Sequence, residues 1–338
     1  MTAPTSHRLV ENATAPDRGS EFAPIIGESA SIRHAVHVAR KIAGIPLRAL
    51  VVAGETGTGK ELLARCIHNA GPSADAPFIT LDCAMLPPSV LDAELFGAGP
   101  SKAGVVKRGA LEIAGRGTVF LADIGAMPLI VQAKLLQVLE EYSVSAVRRG
   151  AALDVPVQCR IIASSRTPLE DRVARGRFRE DLLQRLSVLT IDLPPLRERD
   201  GDAQHIADHL LAEAHRANNA PRRQLGLDAV AAVRGHRWPG NVRELTQVIE
   251  RALSMADGPL IGAQHLSLIQ RRAMAAVPHI GEVFGEIGIP IEGKRLRDIE
   301  REALDLTLQL TENNQSAAAR ILCISRPTLA RKLKEYKG

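Results

Sequence analysis

The chain of 338 residues is poor in aromatic residues and cysteines, and it has no long apolar run. Aromatic residues make up only 3% of it, so its core must consist mainly of Ala, Leu, Ile and Val. The four cysteines are widely separated and lack metal-ligand spacing, which favours reduced thiols. The longest apolar runs, such as residues 49–53, are far shorter than a membrane span, and residues 1–22 lack the apolar segment of a signal peptide. We therefore expect a cytoplasmic protein with no membrane partner.

Neither sign of charge dominates the chain, but the basic residues are unevenly distributed. The 43 Lys and Arg residues exceed the 38 Asp and Glu residues by five. Residues 294–338 contain ten of the basic and six of the acidic residues, so most of the excess lies in this segment. A local basic excess of this kind is compatible with a nucleic-acid partner. Hydrophobic residues at 45% and charged residues at 24% are ordinary for globular domains and exclude a wholly disordered chain.

The pattern of apolar residues predicts a parallel α/β region in the first part of the chain. Residues 1–24 lack periodicity and are predicted to form a flexible tail. From residue 25 to residue 194, short apolar runs alternate with helical spacing, which is typical of a parallel sheet covered on both faces. The predicted strands are residues 49–53, 78–81, 118–121, 160–163 and 189–191.

After residue 194 the pattern becomes purely helical. The predicted helices are residues 203–217, 227–235 and 241–256. Residues 271–293 contain four glycines and two prolines and have weak periodicity, so we predict a linker. Residues 294–338 are again predicted to be helical.

A glycine-rich loop lies between the first predicted strand and a predicted helix at residues 61–69. It reads Gly54-Glu55-Thr56-Gly57-Thr58-Gly59-Lys60-Glu61. Glycines allow the backbone N–H groups to surround phosphates, Lys60 can reach the outer phosphates, and the helix N-terminus adds a positive field. We therefore predict that these eight residues bind ATP or ADP. Glu61 stands where the general motif has Ser or Thr for magnesium, which weakens the argument for Mg²⁺.

Seven further motifs follow in the order found in a known family. They are Ile26-Gly27-Glu28-Ser29, Glu94-Leu95-Phe96-Gly97, Gly117-Thr118-Val119-Phe120-Leu121, Gln132-Ala133-Lys134-Leu135-Leu136, Gly176-Arg177-Phe178-Arg179-Glu180-Asp181-Leu182, Leu193-Pro194-Pro195-Leu196-Arg197-Glu198-Arg199 and Trp238-Pro239-Gly240-Asn241-Val242-Arg243-Glu244-Leu245. With the glycine-rich loop they resemble bacterial enhancer-binding proteins, the activators of sigma-54 RNA polymerase. The resemblance covers about residues 25–338. It implies an AAA+ P-loop α/β subdomain (25–194), a helical lid (195–270), the linker (271–293) and a small all-α Fis-type helix-turn-helix domain (294–338).

The resemblance also implies roles for residues outside the loop. Arg179 and Arg185 correspond to arginine fingers, which reach the nucleotide of a neighbouring subunit. The planar guanidinium group of an arginine is well suited to bind phosphate oxygens. Arg243 corresponds to the sensor II arginine of the lid, and Ile26 to a residue at the nucleotide. These roles imply a homo-oligomer, from a dimer to a ring; the alternative is that the arginines lie on a solvated helix face. Asn241 is expected to cap the helix that follows it.

The chain departs from the family around the γ-phosphate. The family has an apolar strand that ends in Asp-Glu, whereas this strand ends Leu121-Ala122-Asp123. Ala122 cannot hold a metal, and Asp123 is one methylene shorter than the catalytic glutamate that it replaces, so it is poorly positioned for that role. Asp82 replaces a switch asparagine, and Ser165 stands at the sensor I position. We expect retained nucleotide binding with slow or absent hydrolysis; the alternative is that Asp123 or neighbouring carboxylates compensate.

The loop that contacts sigma-54 in the family is also different in this chain. Residues 98–108 are a few residues shorter than the family's loop and lack its Phe-Thr pair, and they include Lys102, Lys107 and Arg108. A solvent-exposed loop without a partner is the simpler interpretation. Contact with an acidic surface or with DNA is the alternative.

The last segment resembles a Fis-type helix-turn-helix. Its predicted helices are residues 300–310, 316–322 and 325–334, with Leu304, Leu308, Leu329 and Leu333 directed inward. The outward side chains of the recognition helix, which would contact bases or phosphates in a major groove, are Arg326, Thr328, Arg331 and Lys332. Because Fis-type helices usually dimerise, the expected partner is double-stranded DNA at a palindromic site. Dimerisation without DNA binding is the alternative.

These observations favour a DNA-binding transcriptional regulator that binds ATP or ADP, self-associates and acts independently of sigma-54. It would repress transcription or contact another form of RNA polymerase directly. One alternative is a working ATPase that remodels the sigma-54 holoenzyme, and another is a non-catalytic partner of an intact paralogue. Because the assigned segments occupy everything after residue 24, we expect no N-terminal sensory domain.

Overall fold

The computed structural model describes residues 21–98, 107–144, 156–218, 223–256, 258–266, 296–311, 314–322 and 326–337. The chain divides into two compact units, residues 1–268 and residues 269–338. The predicted tail and linker lie largely outside the described residues, as does Lys102 in the loop at 98–108. Ser325, at the predicted start of the last helix, and Cys323, in the turn before it, also lie outside them. Among the described residues, no helix has the length and apolar character needed to cross a bilayer.

The first unit contains strands and helices, and each strand of its main sheet up to residue 165 is followed by at least one helix. Its strands are β1 (Ala49–Ala53), β2 (Phe78–Asp82), β3 (Gly97–Ala98), β4 (Lys107–Arg108), β5 (Thr118–Ala122), β6 (Arg160–Ser165), β7 (Thr190–Asp192), β8 (Gln224–Leu225) and β9 (Leu260–Ile261). Its helices are α1 (Ala30–Ala43), α2 (Lys60–Asn69), α3 (Pro88–Phe96), α4 (Ala110–Ile113), α5 (Leu129–Glu141), α6 (Leu169–Ala174), α7 (Glu180–Leu186), α8 (Asp202–Asn218), α9 (Leu227–Gly235), α10 (Asn241–Met255) and α11 (Ala263–Leu266).

Five of these strands form one parallel sheet in the order β2-β5-β6-β1-β7. The register pairs Asp82 with Ala122, and Ala53 with both Ser165 and Asp192. The carboxyl ends of all five strands therefore meet at one edge of the sheet, where the loops that follow them converge. This arrangement confirms the parallel α/β fold predicted from the alternating pattern.

Both faces of the sheet are buried, because consecutive side chains of a strand point to opposite faces. In β1, Val51 packs into a cluster with α3, α5 and α7, whereas Leu50 and Val52 pack into a second cluster with α1 and α2. The near-continuous apolar sequence of the central strands follows from this double coverage. Few aromatic side chains are involved, as the composition predicts.

The lid, which follows the sheet, is built around Trp238. The side chain of this residue is only 1% exposed, and its indole N–H donates to the Val233 carbonyl at 2.9 Å. Helices α8, α9, α10 and α11 surround it. The prediction of a purely helical lid is wrong, because β8 and β9 form a two-residue parallel ladder. Strands of two residues are too short to produce a period-2 signal in the sequence, which explains why they were not predicted.

The second unit contains three helices, α12 (Leu296–Leu310), α13 (Gln315–Ile321) and α14 (Arg326–Lys337). Leu304 and Leu329 are buried, and Leu308 and Leu333 pack against the same cluster, which confirms their predicted inward direction. Helix α12 begins four residues before the predicted start at residue 300, and α14 extends three residues beyond the predicted end at residue 334.

A fully buried carboxylate joins the start of the sheet domain to the start of the lid. Asp202, the first residue of α8, accepts hydrogen bonds from the backbone N–H groups of Glu28 (2.7 Å) and Ser29 (2.9 Å). Its other oxygen accepts from the Ser29 hydroxyl at 2.8 Å. The backbone of Gly27 has a φ of +150°, and a Cβ there would lie 2.5 Å from the Asp202 carboxylate. This contact therefore requires a glycine at position 27.

We predict that Asp202→Ala strongly destabilises the first unit. The variant leaves two backbone N–H groups and one hydroxyl without their buried acceptor, so the free energy of unfolding should fall by about 2–4 kcal/mol. Urea unfolding measures this change. Asp208→Ala, at an exposed position of the same helix, is the matched control and should cost less than about 0.5 kcal/mol. Equal stability of the two variants would show that the Asp202 contact is unimportant.

Candidate functional site

The candidate nucleotide site lies at the carboxyl edge of the sheet, where β1 leads into residues 54–59 and then into α2. These six residues and Lys60 are called the phosphate loop below. Gly57 has a φ of +80°, and a Cβ at this position would collide with the carbonyl oxygen of Gly240 in the lid. The loop therefore needs glycine here both for its backbone conformation and for its close approach to the lid.

Three successive carbonyl groups of the phosphate loop are bonded on the lid side. The Thr56 carbonyl accepts from the Asn241 side-chain amide at 2.9 Å, and the Gly57 carbonyl accepts from the Val242 backbone N–H at 3.0 Å. The Thr58 carbonyl accepts from Arg199, whose buried guanidinium also donates to the Pro194 carbonyl, both at 2.9 Å. In a trans peptide the C=O and the following N–H point in opposite directions. The lid contacts therefore turn the loop's N–H groups towards the opposite side, where an anion can be bound.

The prediction that Asn241 caps the helix that follows it is wrong. The Asn241 side-chain oxygen accepts from the Leu196 backbone N–H at 2.7 Å, and its amide also donates to Glu55 at 3.2 Å. Glu55 forms a salt bridge with Arg197 at 2.7 Å, and the hydrogen bonds from Arg197 and Asn241 lower the pKa of the Glu55 carboxyl. Asn241 is buried, and its side-chain amide is bonded both to Leu196 and to the phosphate loop. The amide is therefore not available to cap the helix.

Lys60 is the cation at the centre of the loop. Its ammonium group donates to the carbonyl oxygens of Gly54 (2.6 Å) and Glu55 (2.7 Å). Burial, followed by the positive charge of Arg166, lowers the pKa of Lys60 to about 8. Arg243 contributes in the same direction, since it lies on α10 next to Gly57. The carboxylates of Asp123 and Glu55 oppose this shift. An anionic ligand would likewise stabilise the charged form of Lys60.

The second nucleotide motif ends with Asp123 in an unusual backbone conformation. Asp123 follows β5 with a φ of 51°, and its N–H donates to the Ser164 hydroxyl at 3.1 Å. Its side chain is only 12% exposed and pairs with the guanidinium of Arg166 at 3.1 Å. Because β6 lies between β5 and β1, Arg166 emerges from the sheet between Asp123 and the phosphate loop. The carboxylate predicted to be catalytic is therefore held by an arginine of the same chain.

Ser165 does not turn towards the nucleotide site. It is buried, and its hydroxyl donates to the Thr167 carbonyl at 2.5 Å within the same turn. The residue that the structure brings to Asp123 and Lys60 is instead Arg166, which comes directly after β6. Arg166 directly follows a predicted central strand, and this position is the signal in the sequence that indicates a residue at the site.

The two remaining acidic residues of the predicted site have local partners. One oxygen of Asp82 accepts from the backbone N–H groups of Ala84 (2.9 Å) and Met85 (3.2 Å), which fixes the turn after β2. Glu61 accepts from Arg65 at 3.0 Å and from the Thr80 hydroxyl at 3.3 Å. Burial raises the pKa of the nearby Cys83 thiol to about 12, with smaller contributions from the Asp82 and Asp123 carboxylates, so this cysteine is an inert thiol.

A cavity of about 530 Å³ adjoins the phosphate loop at the carboxyl ends of β1, β6 and β7. Gly54, Glu55, Arg166 and Arg197 are among its lining residues. Lys60 and Asp123 are not among them, so the cavity lies beside the phosphate loop on the side of Arg166 and Arg197.

Other predicted residues lie farther from the loop. Arg179, at the N-terminus of α7, is exposed and forms a two-point contact with Asp181 at 3.0 and 2.6 Å. Arg185 is exposed in the last turn of α7 and donates to the Leu139 carbonyl at 3.4 Å. Ile26 packs against the lid cluster that contains Trp238.

The candidate nucleic-acid interface of the second unit is formed by α14. Arg326 and Arg331 are exposed on this helix, and Pro327 occupies its first turn. Thr328 and Lys332 are half-buried, and the Lys332 ammonium bonds to Glu300 of α12. Of the four side chains predicted to point outward, the two arginines are thus exposed, whereas the Lys332 ammonium is held by an acidic residue 32 positions earlier.

Three known protein families match successive parts of the chain. Residues 25–192 match the sigma-54 interaction domain, residues 197–277 the AAA+ ATPase lid domain, and residues 295–336 the Fis family of bacterial regulatory proteins.

Similar proteins are bacterial regulators. The chain is 39% identical to the regulatory protein AtoC of Escherichia coli over 85% of its own length and 62% of AtoC. It is 34% identical to the DNA-binding transcriptional regulator NtrC of Azospirillum brasilense, over 93% of the chain and 70% of NtrC. A crystal structure of NtrX from Brucella abortus in complex with ATP has a TM-score of 0.66 and 31% identity, covering 92% of the chain and 68% of NtrX. A further NtrX structure contains ADP. The chain thus spans about two thirds of the length of the relatives it matches.

We predict that Asn241→Gly loosens the phosphate loop. Glycine keeps the positive φ of 53° at this position and removes the amide that bonds to Thr56, Glu55 and Leu196. The free energy of unfolding should fall by about 1–3 kcal/mol, and the amide hydrogens of residues 57–60 should exchange faster.

Hydrogen exchange followed by mass spectrometry tests the local effect, and urea unfolding tests the global one. Gln247→Ala, at an exposed position of the same helix, is the control and should change neither quantity. Unchanged exchange of the loop in Asn241→Gly would contradict the role of this residue.

Proposed function

The chain belongs to the sigma-54-type bacterial transcriptional regulators, with an ATP-binding AAA+ domain and a Fis-family DNA-binding domain, and we propose that within this family it hydrolyses ATP slowly or not at all. The bound nucleotide would then stabilise a DNA-binding assembly, and its hydrolysis would not drive remodelling of RNA polymerase. The proposed regulator acts independently of sigma-54, as a repressor or by direct contact with RNA polymerase.

Retained nucleotide binding is supported by the phosphate loop. Its carbonyl groups are turned to the lid, and Lys60 and Arg243 provide positive charge beside it. The related NtrX was crystallised with ATP and with ADP, so either nucleotide is a reasonable ligand for this chain.

The observation that carries the proposal is the end of β5. The side chain of Ala122 has no atom that can bind a metal, and the Asp123 carboxylate is paired with Arg166 at 3.1 Å. This carboxylate is held by a guanidinium, and its side chain is one methylene shorter than that of glutamate. It is therefore badly placed to polarise an attacking water. Positioning errors of about 1 Å can reduce a rate about a hundredfold.

Independence from sigma-54 is supported by the loop between α3 and α4, of which the structure describes both ends. Gly97 pairs with Arg108 in the short antiparallel ladder of β3 and β4. Lys107 forms a salt bridge with Glu94 at 2.6 Å, and Arg108 forms one with Glu112 at 2.7 Å. Two of the three basic side chains are thus engaged within the domain, which favours the interpretation of a loop without an acidic partner.

Self-association is supported by the exposed positions of Arg179 and Arg185 on α7. Both guanidinium groups can be reached by another subunit, and the Arg179–Asp181 pair is solvent-exposed and therefore easily exchanged for phosphate oxygens. We propose a homo-oligomer, from a dimer to a ring, that binds double-stranded DNA at a palindromic site through α14.

A working ATPase that remodels the sigma-54 holoenzyme is the second candidate function. The match of residues 25–192 to the sigma-54 interaction domain and the presence of Lys60, Arg179 and Arg185 favour it. Steady-state ATP turnover separates the two candidates.

We predict that the purified protein hydrolyses ATP with a kcat far below about 1 s⁻¹, which is the low end of the range for ordinary enzymes. The double variant Ala122→Asp/Asp123→Glu restores the acidic pair and should raise turnover by about tenfold or more, because it restores a metal ligand and lengthens the base. Lys60→Ala is the control that reports contaminating activity. Rapid turnover of the natural sequence that disappears in Lys60→Ala would favour the second candidate.

We predict unequal roles for the two basic residues in the middle of α14. Arg331→Ala should weaken binding to the specific site by about 1–3 kcal/mol if the side chain reads a base. Lys332→Ala should cost less, because its ammonium is already bonded to Glu300. The site is obtained by genome-wide footprinting, and affinities are then measured by fluorescence anisotropy at fixed salt.

Gln309→Ala, at an exposed position of α12, is the control for this series and should leave the affinity unchanged. If Arg331→Ala also leaves it unchanged, Arg331 does not contact DNA.

A further inference from the structure

Three cationic side chains meet around the phosphate loop. Arg166 follows β6, which lies between β1 and β5, and Arg243 lies on the lid helix α10 with its Cβ beside Gly57 of the phosphate loop. The charges of both arginines lower the pKa of Lys60. The carboxylates of Asp123 and Asp82 oppose them, and Glu55 is neutralised by Arg197.

The residues that would hold a magnesium ion do not fit that role. Magnesium prefers near-octahedral oxygen coordination, usually with one or two carboxylates in addition to phosphate oxygens. The side chain of Ala122 supplies no oxygen, and its backbone carbonyl accepts from the Cys83 N–H at 2.9 Å. The Asp123 carboxylate is paired with Arg166. Glu61, which follows Lys60, accepts hydrogen bonds from Arg65 and Thr80. One Asp82 oxygen is bonded to two backbone N–H groups.

We infer that this site binds ATP without magnesium, and that the guanidinium of Arg166, from the same subunit, takes the place of the ion as the counter-charge of the outermost phosphate. The inference rests on the proposed nucleotide binding and specifies the ionic form of the ligand. Its physical basis is the position of Arg166 after β6, between Asp123 and the phosphate loop that contains Lys60, and the lack of a suitable set of metal ligands among the described residues there.

The geometry of Arg166 allows such a contact. Its side chain is 49% exposed, so the guanidinium can turn from Asp123 without disturbing buried packing. A guanidinium binds phosphate oxygens through two parallel N–H donors, whereas an exposed ion pair is weak and readily exchanged. The outermost phosphate beyond Lys60 would then compete with Asp123 for Arg166. ADP, which lacks that phosphate, would gain little from Arg166.

Calorimetric titration of the full chain with ATP and with ADP tests the inference, in buffers that contain either excess EDTA or excess Mg²⁺. We expect the Kd for ATP to differ less than about threefold between the two buffers. Arg166→Gln should raise the Kd for ATP in EDTA at least about tenfold, equivalent to about 1.4 kcal/mol, and change the Kd for ADP less than about threefold. Arg175→Gln, which removes an exposed arginine just after α6, is the matched control and should change neither value.

Two further variants test whether carboxylates at this site can make ATP binding dependent on Mg²⁺. The triple variant Ala122→Asp/Asp123→Glu/Arg166→Asn supplies carboxylates and removes the guanidinium, so its ATP binding should become dependent on Mg²⁺. Asp82→Asn tests whether Asp82 holds a metal, and we expect no change in the effect of Mg²⁺.

Several results would overturn the inference. ATP binding by the natural sequence that is at least about tenfold tighter with Mg²⁺ would refute it while leaving the proposed nucleotide binding intact. An equal loss of ATP and ADP affinity in Arg166→Gln would refute the specific role of Arg166. If the natural sequence bound neither nucleotide in either buffer, the proposed nucleotide binding would fail, and the inference with it.

Discussion

The attachment of the phosphate loop to the lid is the constraint on which the rest of the first unit depends. Three consecutive carbonyl groups, from Thr56 to Thr58, accept hydrogen bonds from Asn241, Val242 and Arg199. Because these groups are fixed, the N–H groups of the loop face the opposite side, and a glycine is required where the loop meets Gly240. The lid thus shapes the anion site through backbone contacts, and a movement of the lid would also alter the loop.

The parallel sheet supplies the second half of the site. Since β6 lies between β1 and β5, the residue after β6 is placed between the phosphate loop and the residue after β5. In this chain those residues are Arg166 and Asp123, which neutralise each other at 3.1 Å. The same topology that can assemble a hydrolytic centre here assembles an ion pair, because the side chains at the strand ends differ. The family fold is therefore retained while the side chains at the ends of β5 and β6 form an ion pair.

Much of the fold could be predicted because it depends on local patterns. The strand–loop–helix context of residues 49–69, the alternation of strands and helices, and the inward leucines of the second unit all leave periodic signals in the sequence. The contacts that were missed or misassigned join residues far apart along the chain. Asn241 bonds to Thr56, Lys332 bonds to Glu300, and Arg166 pairs with Asp123. No periodicity reports such pairs, and strands as short as β8 and β9 contain too few residues to show one.

The central claim is that bound ATP is kept and not consumed. The most direct measurement is a single-turnover experiment, in which the protein is incubated with a substoichiometric amount of ATP and Mg²⁺, and the bound nucleotide is then separated and identified by chromatography. The account predicts that the bound nucleotide is still ATP after an hour. Its quantitative recovery as ADP and phosphate, prevented by Lys60→Ala, would contradict the account.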